Sequence, residues 1–138
     1  EYDVVTLLEV IEHLPPGSLP DFLAVVNGLL RPGGRLILTT AHANTSLDPK
    51  HYQHFNQARL SELLQDTCEE FSFIPFDHIP KWFRWAMKLT GGAGKHFIIT
   101  NRRLITWLFT FYMRHCLYGK GESHCQRIAC VARKRMKG

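Results

Sequence analysis

An open α/β fold built on a parallel β-α-β unit is predicted by three stretches of this chain. Tyr2-Asp3-Val4-Val5-Thr6-Leu7-Leu8 is a nearly continuous apolar run with β-branched residues, the pattern of a strand buried on both faces of a parallel sheet. Leu19, Phe22, Leu23, Val26, Leu29 and Leu30 then recur at three- and four-residue steps, which is one apolar face of a helix. After the break at Arg31-Pro32-Gly33-Gly34, Arg35-Leu36-Ile37-Leu38-Thr39-Thr40 is a second buried strand. Strand, helix, strand in this order is one right-handed crossover of a parallel sheet.

The elements follow in order. Leu14-Pro15-Pro16-Gly17 is a turn, and Ser18 is placed to cap the first helix, with Pro20 and Asp21 in its first turn. Ala41 to Phe55 is a polar loop carrying His42, Asn44, Asp48, His51 and His54. Asn56 is a cap for a helix through Leu60, Leu63 and Leu64 to about Thr67. Phe71 to Phe76 reads as a third strand, with Pro75 favouring its end or a sheet edge. Lys81 to Leu89 is a basic, aromatic amphipathic segment, and Gly91-Gly92-Ala93-Gly94 breaks it as a flexible hinge. Asn101 to Leu117 carries the apolar run 104–113 bounded by Arg102, Arg103 and Arg114. That run is too short to span a bilayer, which takes about 20 residues. Gln126 to Ala132 is a last strand before a basic tail.

At 138 residues, 45% apolar and 21% charged, the chain suits one globular domain able to bury a core. Its divisions are a β-α-β-α-β core over 1–77, a helical insert over 78–122, and a last strand with its tail over 123–138. Cys68, Cys116, Cys125 and Cys130 form no C-x-x-C pair and read as reduced thiols rather than a disulfide framework or zinc site. No signal peptide is visible, and a start without Met at the brink of a strand reads as a piece of something longer. Charge is divided sharply. Residues 1–80 hold four basic and eleven acidic side chains, whereas 81–138 hold thirteen basic side chains and only Glu122. A basic half of this kind faces an anion or is a solvated surface.

The segment YDVV…LEVIEHLP, a helix ending in LLRPGGRLILTT, and H..HF…L..LL together resemble the class I S-adenosylmethionine-dependent methyltransferases. The nearest subgroup is that of the ubiquinone-biosynthesis-type O-methyltransferases. The resemblance covers roughly residues 1–75 and the last strand. It implies the C-terminal half of a Rossmann-like methyltransferase sheet, strands four to seven, with a helical insert before the last one. In that order Asp3–Leu8 is the fourth strand, Arg35–Thr40 the fifth, and Phe71–Phe76 the sixth. The cofactor's glycine-rich loop and its ribose-binding acid belong upstream of residue 1. The cluster at Gly91–Gly94 does not replace that loop, since it follows a helix-like segment and Phe97 stands where the pattern needs glycine. The family usually has Thr-Pro-Asn after the fifth strand, where this chain reads Thr40-Ala41-His42-Ala43-Asn44.

By resemblance, Leu8, Glu9 and Val10 border the methionine part of S-adenosylmethionine. Glu9, Glu12 and His13 follow directly on the first strand, where open α/β sheets bind ligands. For an oxygen nucleophile His13, with Glu12, is placed to take the proton, imidazole being suited to proton transfer near neutrality. The alternative is a metal: Glu9, Glu12 and His13 with His51 or His54 make a carboxylate–imidazole set for Mg²⁺, Mn²⁺ or another divalent ion. Such an ion lowers the pKa of an acceptor hydroxyl. The Glu-x-x-Glu-His arrangement with a later His resembles the metal site of small-RNA 2′-O-methyltransferases. The structural alternative is that Glu12-His13 simply opens a helix. The remaining histidines, His42, His78, His96, His115 and His124, have no spacing that assigns them a role.

The expected activity is therefore methyl transfer to an oxygen of a small-molecule or lipid-like acceptor. Trp82, Phe83, Trp85, Met87 and the 104–113 run, beside Lys81, Arg84, Lys88, Arg102 and Arg103, fit interfacial binding to an anionic membrane surface. A helical lid with these aromatics as its core is the other reading. Nucleic acid ranks below both, because no RNA-binding signature is present. The protein is expected in the cytoplasm, peripheral at the inner face of a membrane. A non-catalytic module that docks through the basic half is the alternative of a different class.

Overall fold

Residues 1–89, 101–118 and 121–136 are described by a computed structural model. Four strands, β1 (Tyr2–Leu8), β2 (Leu30–Ala41), β3 (Cys68–Phe76) and β4 (Arg127–Lys134), form one sheet in the order β1-β2-β4-β3. β1 and β2 are parallel, whereas β4 runs antiparallel to both β2 and β3. The carboxyl ends of β1, β2 and β3 and the start of β4 therefore share one edge. The expected four-strand half sheet is what the chain forms.

α1 (Leu19–Leu29) supplies the crossover between β1 and β2, and α2 (Gln57–Leu64) the link towards β3. Both pack on the same face of the sheet. Leu19, Leu23 and Val26 of α1 and Leu60 and Leu64 of α2 close over Leu36, Leu38, Ile128, Cys130 and Ala132, with Phe55 buried among them. Ser18 stands at the start of α1 but its hydroxyl bonds Pro15 O at 3.0 Å instead of capping the helix. Asn56 does cap α2, accepting from the Arg59 amide at 2.8 Å, although α2 ends at Leu64, short of Thr67.

The expectation of a first strand buried on both faces is corrected. Val5 and Leu7 pack against the core, but Tyr2, Val4 and Leu8 are exposed. The reason is that, among the described residues, α1 and α2 cover only one face of the sheet. The Pro32-Gly33-Gly34 break also lies inside β2 rather than beyond the helix end, where it shifts the register between Tyr2↔Leu30 and Val4↔Arg35. Gly33 is left-handed at φ 73°, and a Cβ on Gly34 would lie 2.9 Å from Arg31 O and 3.2 Å from Asp3 O. β3 starts three residues earlier than expected, at Cys68, with a bulge at left-handed Glu70. It is an edge strand, as Pro75 implies.

Between β3 and β4 lie α3 (Lys81–Leu89) and α4 (Arg102–Phe111), the latter continuing as a π-helical turn over Tyr112–Cys116. The ends of this segment are stitched together: the Asp77 amide bonds Leu117 O at 2.9 Å, His78 N bonds Cys116 O at 2.6 Å, and Gln126 N bonds Asp77 O at 3.1 Å. Phe111 joins the two helices, with ring centroids 5.1 Å from Phe83, 5.3 Å from Trp82 and 5.9 Å from Trp107. The run 104–113 is not a core, because no α4 residue is buried. Only Phe83 of these aromatics is buried, while Trp82, Trp85, Trp107 and Phe109 are 55%, 65%, 57% and 62% exposed. The Gly91–Gly94 hinge lies outside the described residues. Among the described residues no helix is long and apolar enough to cross a membrane.

Candidate functional site at the carboxyl edge of the sheet

β1 ends by turning sharply. Glu9 takes up φ 53°, a conformation uncommon for a non-glycine residue, while its amide still bonds Thr39 O at 2.9 Å. The turn carries the chain into one 3₁₀ turn, Ile11–His13, in which Ile11 and Glu12 are fully buried. Asp77 leaves β3 in the same left-handed way, at φ 64°. Arg127, the first residue of β4, stands between the two, 3.5 Å from Glu9 Oε2 and 3.9 Å from Asp77 Oδ2. Tyr112 donates to the other Asp77 oxygen at 3.2 Å. Burial, with the Asp77 charge beside it, pushes the Tyr112 hydroxyl up to about 12, so it stays a donor at neutral pH.

The loop before α2 is fastened to this turn. Tyr52 N donates to Glu12 O at 2.9 Å, and Gln53 Nε2 donates to Leu14 O at 3.2 Å. His51 is thereby brought against His13, with ring centroids 4.7 Å apart and edge to face. The hydrogen-bond network assigns the tautomers. His13 Nδ1 lies 3.0 Å from Lys50 O, which can only accept, so Nδ1 holds the proton. Thr45 donates its hydroxyl proton to His42 O at 2.8 Å. His54 Nδ1, 3.1 Å from Thr45 Oγ1, must then be a donor, and its Nε2 accepts from His51 Nδ1 at 2.8 Å. His13 and His51 are both left with Nε2 as the nitrogen bearing a lone pair.

Glu12 completes the group. Its Oε2 accepts from Thr40 Oγ1 at 3.0 Å, and its buried Oε1 has no partner among the described residues. One ligand atom from each of Glu12, His13 and His51 lies within 4.8 Å of the others. Of the residues the sequence singles out, Glu12 and His13 are brought together, and His51 rather than His54 joins them. His54 stands behind His51 as its acceptor. Glu9 turns to Arg127, with Oε1 buried and without a partner among the described residues. Leu8 is exposed and Val10 half-buried beside it.

The sequence reading missed His42 and Glu122. His42 is buried; its Nδ1 accepts from Asn44 N at 3.0 Å and its Nε2 donates to Glu122 Oε1 at 2.9 Å. Gln57 N, at the start of α2, donates to the same oxygen at 2.7 Å. Burial alone pushes the Glu122 carboxyl up, but these two donors outweigh it and hold it below its ordinary value. Asn44 Nδ2 extends the lock to Glu122 O at 2.6 Å and Cys125 O at 3.1 Å. No local signal pairs residues 80 positions apart, although Glu122 is the lone acid of the basic half.

No family model matches the chain. It is 43% identical over 53 residues to the ubiquinone biosynthesis O-methyltransferase of Aeromonas salmonicida, covering 38% of this chain and 19% of that protein. It is 32% identical over 80 residues to the small RNA 2′-O-methyltransferase of Gallus gallus, covering 52% of this chain and 21% of that one. The chain thus spans about a fifth of the curated relatives it matches. Among solved structures, a SAM-dependent methyltransferase from Archaeoglobus fulgidus superposes with a TM-score of 0.58 at 17% identity, covering 96% of this chain and 59% of that chain. The sheet β1-β2-β4-β3, with its antiparallel β4, is therefore a partial Rossmann-like sheet of the class I methyltransferase fold.

Proposed function

We propose that the chain is the C-terminal part of an S-adenosylmethionine-dependent methyltransferase that acts on an oxygen of a small or lipid-like acceptor. The observation that carries this reading is the carboxyl edge, where strained Glu9 and the Glu12–His13–His51 group stand together at the end of β1. Both partial relatives are named as O-methyltransferases, which favours oxygen as the methylated atom. Nothing in them favours the non-catalytic docking module.

Leu8, Glu9 and Val10 fit the methionine end of the cofactor: Leu8 offers exposed apolar surface, and Glu9 Oε1 is a buried acceptor without a donor among the described residues. When bound, S-adenosylmethionine supplies an electrophilic methyl group on a sulfonium. The chain's own residues then orient the acceptor hydroxyl and remove its proton. His13 Nε2 is the base, with Nδ1 steadied by Lys50 O and the buried Glu12 carboxylate stabilising the imidazolium that forms. Calorimetry tests the reading. S-adenosylhomocysteine is expected to bind the longest natural polypeptide containing residues 1–138, and no binding there would sink it.

A second form of the chemistry is favoured by the orphaned Glu12 Oε1 beside two imidazoles with free Nε2 atoms. These donors suit a divalent cation such as Mg²⁺ or Mn²⁺, held by Glu12, His13 and His51, with His54 fixing His51 from behind. Held there, such an ion would supply Lewis acidity that lowers the pKa of an acceptor hydroxyl. Mn²⁺ titration followed by paramagnetic relaxation separates the two forms: binding lost in Glu12→Gln supports the ion, and no binding to the wild type leaves His13 as the base.

The placement at an anionic membrane surface belongs to the same proposal. Trp82 and Trp107 are exposed at the Phe111 junction and Trp85 and Phe109 are exposed on the same two helices, which also carry Lys81, Arg84, Arg102 and Arg103 and no acid. This arrangement gives a cytoplasmic enzyme access to a lipophilic acceptor.

A further inference from the structure

A cleft of about 710 Å³ opens where the loop after β2, the start of α3 and the segment before β4 converge. Its described lining includes Lys81, Arg84, His115 and His124 and no Asp or Glu. Lys81 and Arg84 stand three residues apart in the first turn of α3, on one side of the helix. Among the described residues neither is ion-paired, whereas Arg31, Arg127 and Arg133 all are. The two acids next to the lining in sequence are already engaged, Asp77 by Tyr112 and Arg127 and Glu122 by His42 and Gln57. Gln126, also in the wall, has an Nε2 donor without an acceptor among the described residues.

The cleft is built rather than incidental. His78, itself in the wall, is buried and donates from Nε2 to Gly121 O at 2.9 Å, tying the approach to α3 to the approach to β4. Thr45 lines the cleft and also receives the His54 Nδ1 proton at 3.1 Å. The cationic cleft therefore abuts the imidazole row, with one threonine between them.

We propose that this cleft receives an anionic group, a phosphate or a carboxylate, of the acceptor, held by Lys81 and Arg84 with His115 and His124 beside them. Its assignment to the acceptor rests on the methyltransferase reading; the anion site itself does not. Guanidinium and ammonium groups without an ion pair among the described residues, facing a partly enclosed space whose described lining has no acid, recover charge-assisted hydrogen bonds when such a group enters.

The test is a titration of the protein with inorganic phosphate, and separately with glutarate, at ionic strength held constant by chloride. The side-chain NMR signals of His115 and His124 are followed. Saturation by phosphate alone identifies a phosphate, and saturation by glutarate alone a carboxylate. The double variant Lys81→Gln/Arg84→Gln, at exposed positions, is expected to weaken that binding about tenfold or more. Arg84→Lys should weaken it less, and Arg35→Gln, an exposed charge on β2, should leave it unchanged. Non-saturating drift equal to that in chloride, or equal saturation in the double variant with an unchanged Tm, overturns the proposal. S-adenosylhomocysteine binding without anion saturation removes this inference alone. Anion saturation in a protein that binds no cofactor keeps the site and removes its acceptor role.

Discussion

His51 Nδ1 lies 2.8 Å from His54 Nε2, and His54 in turn passes its own Nδ1 proton towards Thr45. This order fixes the tautomer of His51, the residue that stands with Glu12 and His13, and leaves the lone pair on its Nε2. His54 thus acts through His51 rather than on a reacting atom. His54→Ala is expected to lower kcat/KM about tenfold to a hundredfold with little change in Tm, as loss of an orienting partner does. His54→Gln, which can still accept from His51, should recover part of it. An undiminished rate in His54→Ala would remove the relay from the account.

The His42–Glu122 lock gives a pH-dependent stability. The Glu122 carboxyl sits below its ordinary value of 4.5 in the folded chain, so its contribution is complete above that value. It is lost as pH falls through the lower folded value. Glu122→Gln should cost about 1 kcal/mol at neutral pH, since the carboxylate keeps a third of its surface in water. That corresponds to a Tm lower by roughly 3–5 °C. Acid-unfolding curves of the two proteins should converge below pH 4.5, where the wild type alone loses this increment. Curves that stay parallel throughout would contradict it.

Much of this molecule is legible in its residues. The strand at Tyr2–Leu8, the amphipathic spacing of α1 and the Asn56 cap are local signals, and each element stands where they place it, whereas the Pro32-Gly33-Gly34 break is absorbed into β2. Burial was not legible in the same way, because Val4 and Leu8 look like core residues yet lie on the face that α1 and α2 leave open. Within the site, Glu12 and His13 are adjacent in sequence and were found. The choice between His51 and His54 depended on the loop stitches Tyr52–Glu12 and Gln53–Leu14, which no spacing rule contains. The Glu122 lock is non-local and was invisible for the same reason.

The thiols of Cys68, Cys125 and Cys130 are expected to react slowly. Burial pushes the Cys130 thiol up to about 12 and the Cys125 thiol up to about 11, with the Glu122 charge adding to the latter. Burial also raises the Cys68 thiol. Thiolate is the reacting form, so these three should label with a disulfide reagent at pH 7.5 far more slowly than a free thiol. Unfolding in denaturant should make them fast. Mass spectrometry that finds Cys125 or Cys130 labelled within the first minute under native conditions would contradict the packing described for β4 and its approach.

Exposure of Trp82 and Trp85 predicts the membrane behaviour. Vesicles with anionic headgroups should bind the protein and shift its tryptophan emission to the blue, and added salt should weaken the binding. Trp82→Ala/Trp85→Ala should reduce the partitioning about tenfold or more, since each indole buries a large apolar area. Equal partitioning into neutral and anionic vesicles would remove the role of Lys81 and Arg84.

A carboxyl end of β1 that borders S-adenosylmethionine should bind the demethylated cofactor, and one titration measures this. S-adenosylhomocysteine is added to the longest natural polypeptide containing this chain, as wild type and as Glu9→Ala, with heat as the readout. Saturable one-site binding is expected, weakened about tenfold or more by Glu9→Ala through loss of the buried Oε1 acceptor. No binding by the wild type, or equal binding by a folded Glu9→Ala, would contradict it.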